Sequence, residues 1–291
     1  MLPVKLSILE LGEYDPQREN LNSLIEYATV IEKLGFARFW MGEHYLKGTL
    51  FSNPEPLIPL IAASTQKISV GVAGLLAFKH SCERLACSFS LLEKLFPKRI
   101  DLGLVAPSSI KMENQQSQKS SSDVFKTIVK LFEEGSYQLG IDKEHKPELW
   151  HLTSSIASYV NCEHTTNINL SKSLFHPNSF FDKEESSIEQ LKDISCKKFG
   201  ALPKITIAIG CFVCTNPKTL KSYNDRYKSI VTDKVFEALI IDTPENFINK
   251  LIAVSTSYQT NDIIIMNLGE SYLEKIECAT AISETLKLQN A

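Results

Sequence analysis

The first hundred residues repeat one unit, a short apolar strand followed by a longer helical pattern. Four apolar runs predict strands, at Lys5–Leu11, Arg38–Met41, Ile68–Ala73 and Ile100–Leu104. Equivalent positions in the last three runs, Phe39, Val70 and Leu102, are 31 and 32 residues apart. This distance holds a strand, a crossover helix and two loops, which is what parallel neighbours need. The spacing therefore predicts parallel strands joined by helices.

The rest of the chain continues this alternation. Further strands are predicted at Leu149–Leu152, Asn167–Leu170, Ile205–Val213 and Ile263–Asn267. Helices are predicted at Leu57–Ser64, Val124–Leu139, Ile188–Lys198, Glu245–Thr256 and Tyr272–Lys287. Eight strands alternating with helices predict an α/β fold, a closed (β/α)8 TIM barrel that spans residues 1–291 as one domain. A doubly wound sheet is the alternative, but the segment after the first strand, residues 12–15, lacks its glycine-rich fingerprint.

One segment, Ser108–Asp123, is polar and low in complexity. It follows the fourth strand, and loops after strands lie on the catalytic face of such a barrel. A mobile lid and a disordered surface loop are both consistent with its composition.

Composition and charge exclude several classes of function. The net charge of −3 and the lack of a basic stripe argue against nucleic-acid binding. Lys5 and Glu10 interrupt the first apolar run, so it does not resemble a secretory signal, and no run reaches the roughly 18 apolar residues of a membrane span. We expect a cytoplasmic protein without a membrane segment.

The seven cysteines are dispersed, which indicates free thiols. Cys211 and Cys214 have C-x-x-C spacing, but on a strand two positions three apart point to opposite faces. We therefore expect no metal site.

His44 is the sharpest candidate for chemistry. It follows the second strand beside Glu43 and Tyr45, where an imidazole can exchange protons near neutral pH. A solvated loop histidine is the alternative. Glu43 is expected to orient His44, bind a cofactor hydroxyl or pair with a nearby cation.

A second candidate site is the hydroxyl-rich segment Thr153-Ser154-Ser155, which precedes a short helical run. Hydroxyls and free backbone N–H groups at a helix start can bind an anion. The same residues are also ordinary helix caps, and both interpretations stay open.

Five segments, in order along nearly the whole chain, form one recognisable set. They are FARFWMGEHY at 36–45, the stretch from ISVGVAGLL to PKRIDLGL at 68–104, PELWHLTSSIAS at 147–158, LFHP at 174–177 and DTPENFINKL at 242–251. Together they resemble the bacterial luciferase-like family of flavin-dependent monooxygenases. The resemblance implies a TIM barrel that uses reduced FMN, supplied by a separate reductase, and dioxygen to oxygenate a small organic substrate. It also implies a homodimer, or a heterodimer with a homologue.

Position by position, the resemblance makes His44 the active-site acid/base and Glu43 its acidic neighbour. It places the flavin ring on Val72, Ala73 and Gly74, often at a non-prolyl cis bond. It makes Thr153, Ser154 and Ser155 the phosphate loop.

The chain departs from the family pattern in three places that bear on function. After the fourth strand it lacks the usual arginine, Tyr45 replaces a second histidine, and Thr153 replaces the glycine of a Gly-Ser-Ser segment. Lys79, His80 and Arg84 are candidates to replace the lost cation. The departures leave two alternatives to an FMN enzyme open: a non-catalytic homologue that serves as a structural partner subunit, and a barrel that uses a deazaflavin.

Overall fold

Eight parallel strands close into a barrel, and helices lie between consecutive strands. The computed structural model describes residues 4–12, 21–45, 51–105, 121–160, 164–176 and 184–288. The described residues contain nine strands, and all but β8 belong to the closed ring. They are β1 Lys5–Glu10, β2 Arg38–Met41, β3 Ser69–Leu75, β4 Ile100–Val105, β5 Glu148–Thr153, β6 Asn169–Ser173, β7 Ile205–Val213, β8 Ile240–Asp242 and β9 Asp262–Asn267. The predicted (β/α)8 barrel is thereby confirmed.

The strand pairing closes the barrel through β9. Strands β1 to β7 pair in sequence order, β7 then pairs with β9, and β9 pairs with β1, all in parallel. In the β2–β3 register Phe39 lies opposite Val70, the two residues from which the repeat was inferred. All carboxyl ends therefore meet at one end of the barrel, which we call the mouth.

Ten helices occur in the described residues. They are α1 Leu21–Lys33, α2 Leu57–Ser64, α3 Cys82–Leu95, α4 Ser121–Glu134, α5 Ile156–Val160, α6 Glu184–Phe199, α7 Pro217–Ile230, α8 Asp233–Glu237, α9 Pro244–Ser257 and α10 Tyr272–Leu286. Ser271 and Glu274 form a reciprocal capping box at the start of α10. None of these helices has the length and hydropathy to cross a membrane.

The structure differs from the prediction in several elements, and the helices α7 and α8 were not predicted. Strand β6 lies at Asn169–Ser173, two to three residues later than predicted, because polar inward positions hide its apolar alternation. The sequence analysis missed β8, a three-residue strand that pairs only with β7 outside the closed ring. Helix α4 begins at Ser121, inside the segment predicted as a loop, and ends before Gly135, whose φ of 68° is left-handed. Residues 108–120 of that segment lie outside the described residues.

The amino-terminal half of the barrel interior is filled by a buried ionic cluster, which we call the floor: Arg38, Trp40, Asp101, Trp150 and Asp262. The Arg38 guanidinium donates to both Asp262 oxygens at 3.0 and 2.8 Å and lies 3.5 Å from Asp101. Both indole N–H groups donate to Asp101, at 2.7 and 3.2 Å. Burial raises the pKa of Asp101 to about 6, although Arg38 opposes the shift.

A second buried polar pair lies outside the barrel wall, between β5, α4 and α5. His151 Nδ1 and His164 Nε2 are 2.9 Å apart, among the rings of Phe125 and Tyr159. Burial lowers the pKa of His151 to about 3 and that of His164 to about 4. Both imidazoles are therefore neutral in the folded protein at neutral pH.

We expect this pair to make the fold acid-sensitive. Unfolding returns each histidine to a pKa near 6.5, so the unfolded chain binds more protons below that pH. Stability is then lost as the pH falls from about 6.5 towards 4, at about 2 kcal/mol per histidine by pH 5. The measurement is the free energy of unfolding in urea at pH 7 and pH 5.

The double variant His151→Gln/His164→Gln should lose less stability than the parent over this interval. His145→Gln, which changes a partly exposed histidine paired with Asp142, is the control and should follow the parent. An equal loss in the double variant and the parent would contradict the assignment.

Candidate active site

His44 lies at the mouth, directly after β2. Its backbone N–H donates to Phe51 O at 2.8 Å, which fixes the chain as it leaves the strand. A Cβ on Gly42 would lie 2.8 Å from Leu11 Cδ2, 3.4 Å from His44 Nε2 and 3.5 Å from Ala73 O. Gly42 therefore leaves room for the Leu11 side chain, and the His44 ring and the Ala73 carbonyl both border the space beside it.

The electrostatic surroundings of His44 favour a neutral imidazole. Burial lowers its pKa, the Glu43 carboxylate opposes that shift, and His176 adds to it. Burial also lowers the pKa of His176, which follows β6. A neutral imidazole at pH 7 can accept a proton, as a general base must.

Glu43 is fully buried and holds three neighbours. Its Oε2 accepts from Leu76 N at 2.6 Å, and its Oε1 accepts from Tyr45 Oη at 2.5 Å and lies 3.0 Å from His80 Nε2. The other ring nitrogen of His80 lies 3.6 Å from Glu55. These contacts tie the exits of β2 and β3 together, so the carboxylate holds the wall of the mouth in place.

Tyr45 lies at the surface beside Glu43. It is 51% exposed, and the Lys79 ammonium lies 4.0 Å from the centre of its ring. Burial and the hydrogen bond to Glu43 raise the pKa of the phenol to about 12. Lys79 thus lies against the ring of Tyr45, and His80 lies against the carboxylate of Glu43.

An apolar surface lies at the end of β3. The Ala73–Gly74 peptide bond is cis, as the resemblance implies. Ala73 belongs to an inner cluster with Leu9, Trp40, Trp150, Ala208 and Ile264, and Leu11, Leu152 and Phe175 pack on that cluster from the mouth side. A Cβ on Gly74 would lie 2.2 Å from Val105. Backbone and apolar side chains therefore form one continuous surface.

Val72 does not reach this surface with its side chain. It packs in the outer core between strands and helices, because successive side chains of a strand alternate between faces. Of the three residues predicted to carry a ring, the structure brings Ala73 and Gly74 to the mouth and turns the Val72 side chain outward.

The Thr153-Ser154-Ser155 segment forms a turn between β5 and α5. Thr153 Oγ1 accepts from Ser155 N at 3.1 Å and donates to Ser155 O at 2.9 Å, so Thr153 closes the turn on itself. Within the described parts of the chain, the hydroxyls of Ser154 and Ser155 make no hydrogen bond. Two serine hydroxyls thus remain available beside the turn.

Lys172, which the sequence analysis missed, lies beneath this turn. It is fully buried on β6 opposite Thr153, and its ammonium donates to Ser154 O at 2.8 Å. The contact between Lys172 and the turn depends on the pairing of β5 with β6, and the predicted sixth strand ended before Lys172. The only signal in the sequence was a lysine at a position where the alternating pattern of this run places apolar residues.

Three cysteines lie near one another where α10 packs on the end of β7. Cys211 and Cys278 are buried, and Val213 N donates to Cys278 Sγ at 3.2 Å. Burial raises the pKa of Cys211 and of the half-buried Cys214. In the described part of the chain, no three His, Cys, Asp or Glu side chains are grouped so as to hold a metal ion.

Comparison with known proteins relates residues 5–126 to the family model described as luciferase-like monooxygenase. The uncharacterized protein YwcH of Bacillus subtilis (strain 168) is 25% identical, over 97% of this chain and 98% of that protein. The N-acetyl-S-alkylcysteine monooxygenase of the same organism is 33% identical, over 45% of this chain and 40% of that protein.

Solved structures share the fold over the full length. The monooxygenase RslO1 from Streptomyces bottropensis superposes with a TM-score of 0.77 at 13% identity, covering 99% of this chain and all of that one. The oxygenating constituent of 3,6-diketocamphane monooxygenase from Pseudomonas putida, in complex with FMN, gives 0.73 at 12% identity, covering 98% of each. At these identities the likeness establishes the fold.

Proposed function

We propose that this chain, whose residues 5–126 match the luciferase-like monooxygenase family model, is a flavin-dependent monooxygenase that binds reduced FMN at the mouth. It would use dioxygen to oxygenate a small organic substrate, and a separate reductase would supply the reduced cofactor. The observation that carries the proposal is a half-buried, neutral His44 beside an apolar surface at the carboxyl ends of the strands.

The described residues fit an FMN molecule in chemical terms. The apolar surface at Ala73 and Gly74 suits a flat aromatic ring, and two available serine hydroxyls above a buried ammonium suit a phosphate. When bound, the flavin would supply the redox chemistry with oxygen.

The protein's own residues would position and protect that chemistry. His44 would hold or accept a proton at its ring nitrogen, and Glu43 would keep the exits of β2 and β3 in register. The apolar residues Leu11, Leu152 and Phe175 would exclude water from the surface on which the ring lies.

The experiment that tests this function is a titration of the purified chain with FMN, oxidised and then reduced under anaerobic conditions, followed by absorbance and fluorescence. Micromolar binding of the reduced form supports the proposal and justifies a substrate screen with a reductase. Preference for a deazaflavin would replace FMN in the proposal, since one solved relative is an F420-dependent alcohol dehydrogenase. Binding of neither cofactor would contradict the proposal.

We expect the double variant Ser154→Ala/Ser155→Ala to weaken FMN binding and to leave riboflavin binding unchanged. Each hydroxyl would donate to the phosphate that riboflavin lacks, so the loss is about tenfold per hydroxyl. The measurement is the ratio of the two dissociation constants.

Ser64→Ala, on the exposed end of α2, is the matched control for this ratio. An equal loss of affinity for both flavins would mean that the turn supports the fold rather than the phosphate.

A non-catalytic partner subunit is the second candidate, and exposed leucines favour it. Leu91 and Leu95, four residues apart on α3, are each more than half exposed. Large apolar side chains on one face commonly mark a protein interface. Sedimentation of the chain alone and with a flavin-binding homologue, before and after Leu91→Lys, would separate a homodimer, a heterodimer and a monomer.

A further inference from the structure

Both tryptophans of the chain belong to the floor and also to the inner cluster beneath the mouth. Trp40 and Trp150 pack in one cluster with Ala73, and the centres of the two indoles are 5.1 Å apart, with their planes at 69°. Gly103 lies opposite Trp150 in the β4–β5 register, and a Cβ on Gly103 would lie 3.2 Å from Ala73 Cα. Gly103 therefore puts no side chain between Trp150 and Ala73.

One buried carboxylate holds both indoles. Asp101 Oδ2 accepts from Trp40 Nε1 at 2.7 Å, and Asp101 Oδ1 accepts from Trp150 Nε1 at 3.2 Å. Asp101 is 1% exposed, so water does not compete for these hydrogen bonds. Arg38, which is paired with Asp262, lies 3.5 Å from Asp101 Oδ2 and balances its charge. A single side chain below the mouth thus sets the orientation of both rings.

We propose that Asp101 is a positioning residue for the aromatic ring bound at the mouth, and that it acts through the two indoles. Held by the carboxylate, the indoles form a fixed apolar base beneath the surface at Ala73, against which a flat ring packs. An indole that is not held would have to be ordered when the ligand binds, and this ordering costs affinity. The inference rests on the proposed function, because it names the residue that orients the surface for the flavin ring.

The substitution Asp101→Asn separates the two hydrogen bonds. The amide oxygen is expected at the Oδ2 position, where it still accepts from Trp40 and faces Arg38. The amide nitrogen then faces the Trp150 N–H, and two donors cannot bond to each other. Arg38 keeps both oxygens of Asp262, so no buried cation is left without a partner. The variant therefore releases the indole of Trp150 alone.

The test measures the dissociation constants of reduced riboflavin and reduced FMN under anaerobic conditions. We expect Asp101→Asn to weaken the binding of both by the same factor, about tenfold, because both carry the same ring. The ratio of the two constants should stay that of the parent, in contrast to the ratio expected for Ser154→Ala/Ser155→Ala. Asp193→Asn, on the exposed face of α6, is the matched control and should change neither constant.

A double-mutant cycle with Trp150→Phe distinguishes positioning from a general loosening of the fold. Phenylalanine keeps an aromatic ring but has no N–H, so Asp101 has nothing to hold at that position. Asp101→Asn should then cause no further loss of riboflavin affinity in the Trp150→Phe background. Losses that multiply in the double variant would overturn action through the indole.

The indole N–H resonances of the parent give a measurement that does not depend on the folding of a variant. The chain has two tryptophans, so proton NMR should show two indole N–H signals, and reduced riboflavin should shift both. Riboflavin that binds without moving either signal, or unchanged affinities in folded Asp101→Asn, would overturn this inference and leave the proposed function standing. A parent that binds neither flavin would contradict the proposed function and this inference with it.

Discussion

His44→Ala is expected to lower substrate turnover by about 10²- to 10⁴-fold, the usual contribution of a positioned general acid or base. His44 is half-buried, and its lowered pKa keeps it neutral and ready to accept a proton at pH 7. The measurement is the oxygenation rate at saturating substrate, with a reductase that supplies reduced FMN.

The fold and the cofactor site should survive this substitution. The hydrogen bond that His44 makes to Phe51 uses its backbone, which alanine retains. The midpoint of thermal unfolding and the affinity for reduced FMN should therefore stay close to those of the parent. Turnover that is unaffected by His44→Ala would remove the catalytic role of this residue.

The second large effect is expected at the floor, where Arg38→Met should destabilise the protein by about 3–5 kcal/mol. The substitution leaves Asp101 and Asp262 buried without the cation that both contact. Because a domain is stable by only about 5–15 kcal/mol, the variant is expected to unfold at much lower urea concentration.

Intrinsic fluorescence suits this measurement, because the chain has two tryptophans and both lie within 6 Å of the Arg38 guanidinium. Lys197→Met, which removes an exposed ion pair with Asp193 on α6, is the matched control and should change stability by less than about 1 kcal/mol. A loss at Arg38 as small as that of the control would mean that the buried cluster contributes little.

The barrel could be predicted from sequence where strands are apolar on both faces. β1, β2 and β7 were located to within a residue, because residues such as Ile8, Phe39 and Ile209 are buried and give a continuous apolar signal. β6 was displaced because Asn169, Ser171 and Ser173 alternate with Leu170 and Lys172 and make the run resemble a loop. β8 is three residues long, too short for any periodicity to reveal it.

The candidate site was predicted only where its residues follow a recognisable strand. His44 and Gly74 were found in this way. Lys172 was not assigned a role, because it depends on a partner far away in the sequence, Ser154. Likewise one of the partners of Glu43, His80, lies 37 residues later.

The filled floor has a kinetic consequence for any reaction at the mouth. In the described barrel, the buried side chains of Arg38, Trp40 and Trp150 fill the amino-terminal half of the interior, so we expect substrate and product to pass through the mouth. Substrate, oxygen and product must then share one opening. A bound product blocks the next substrate, and product inhibition should be competitive with substrate.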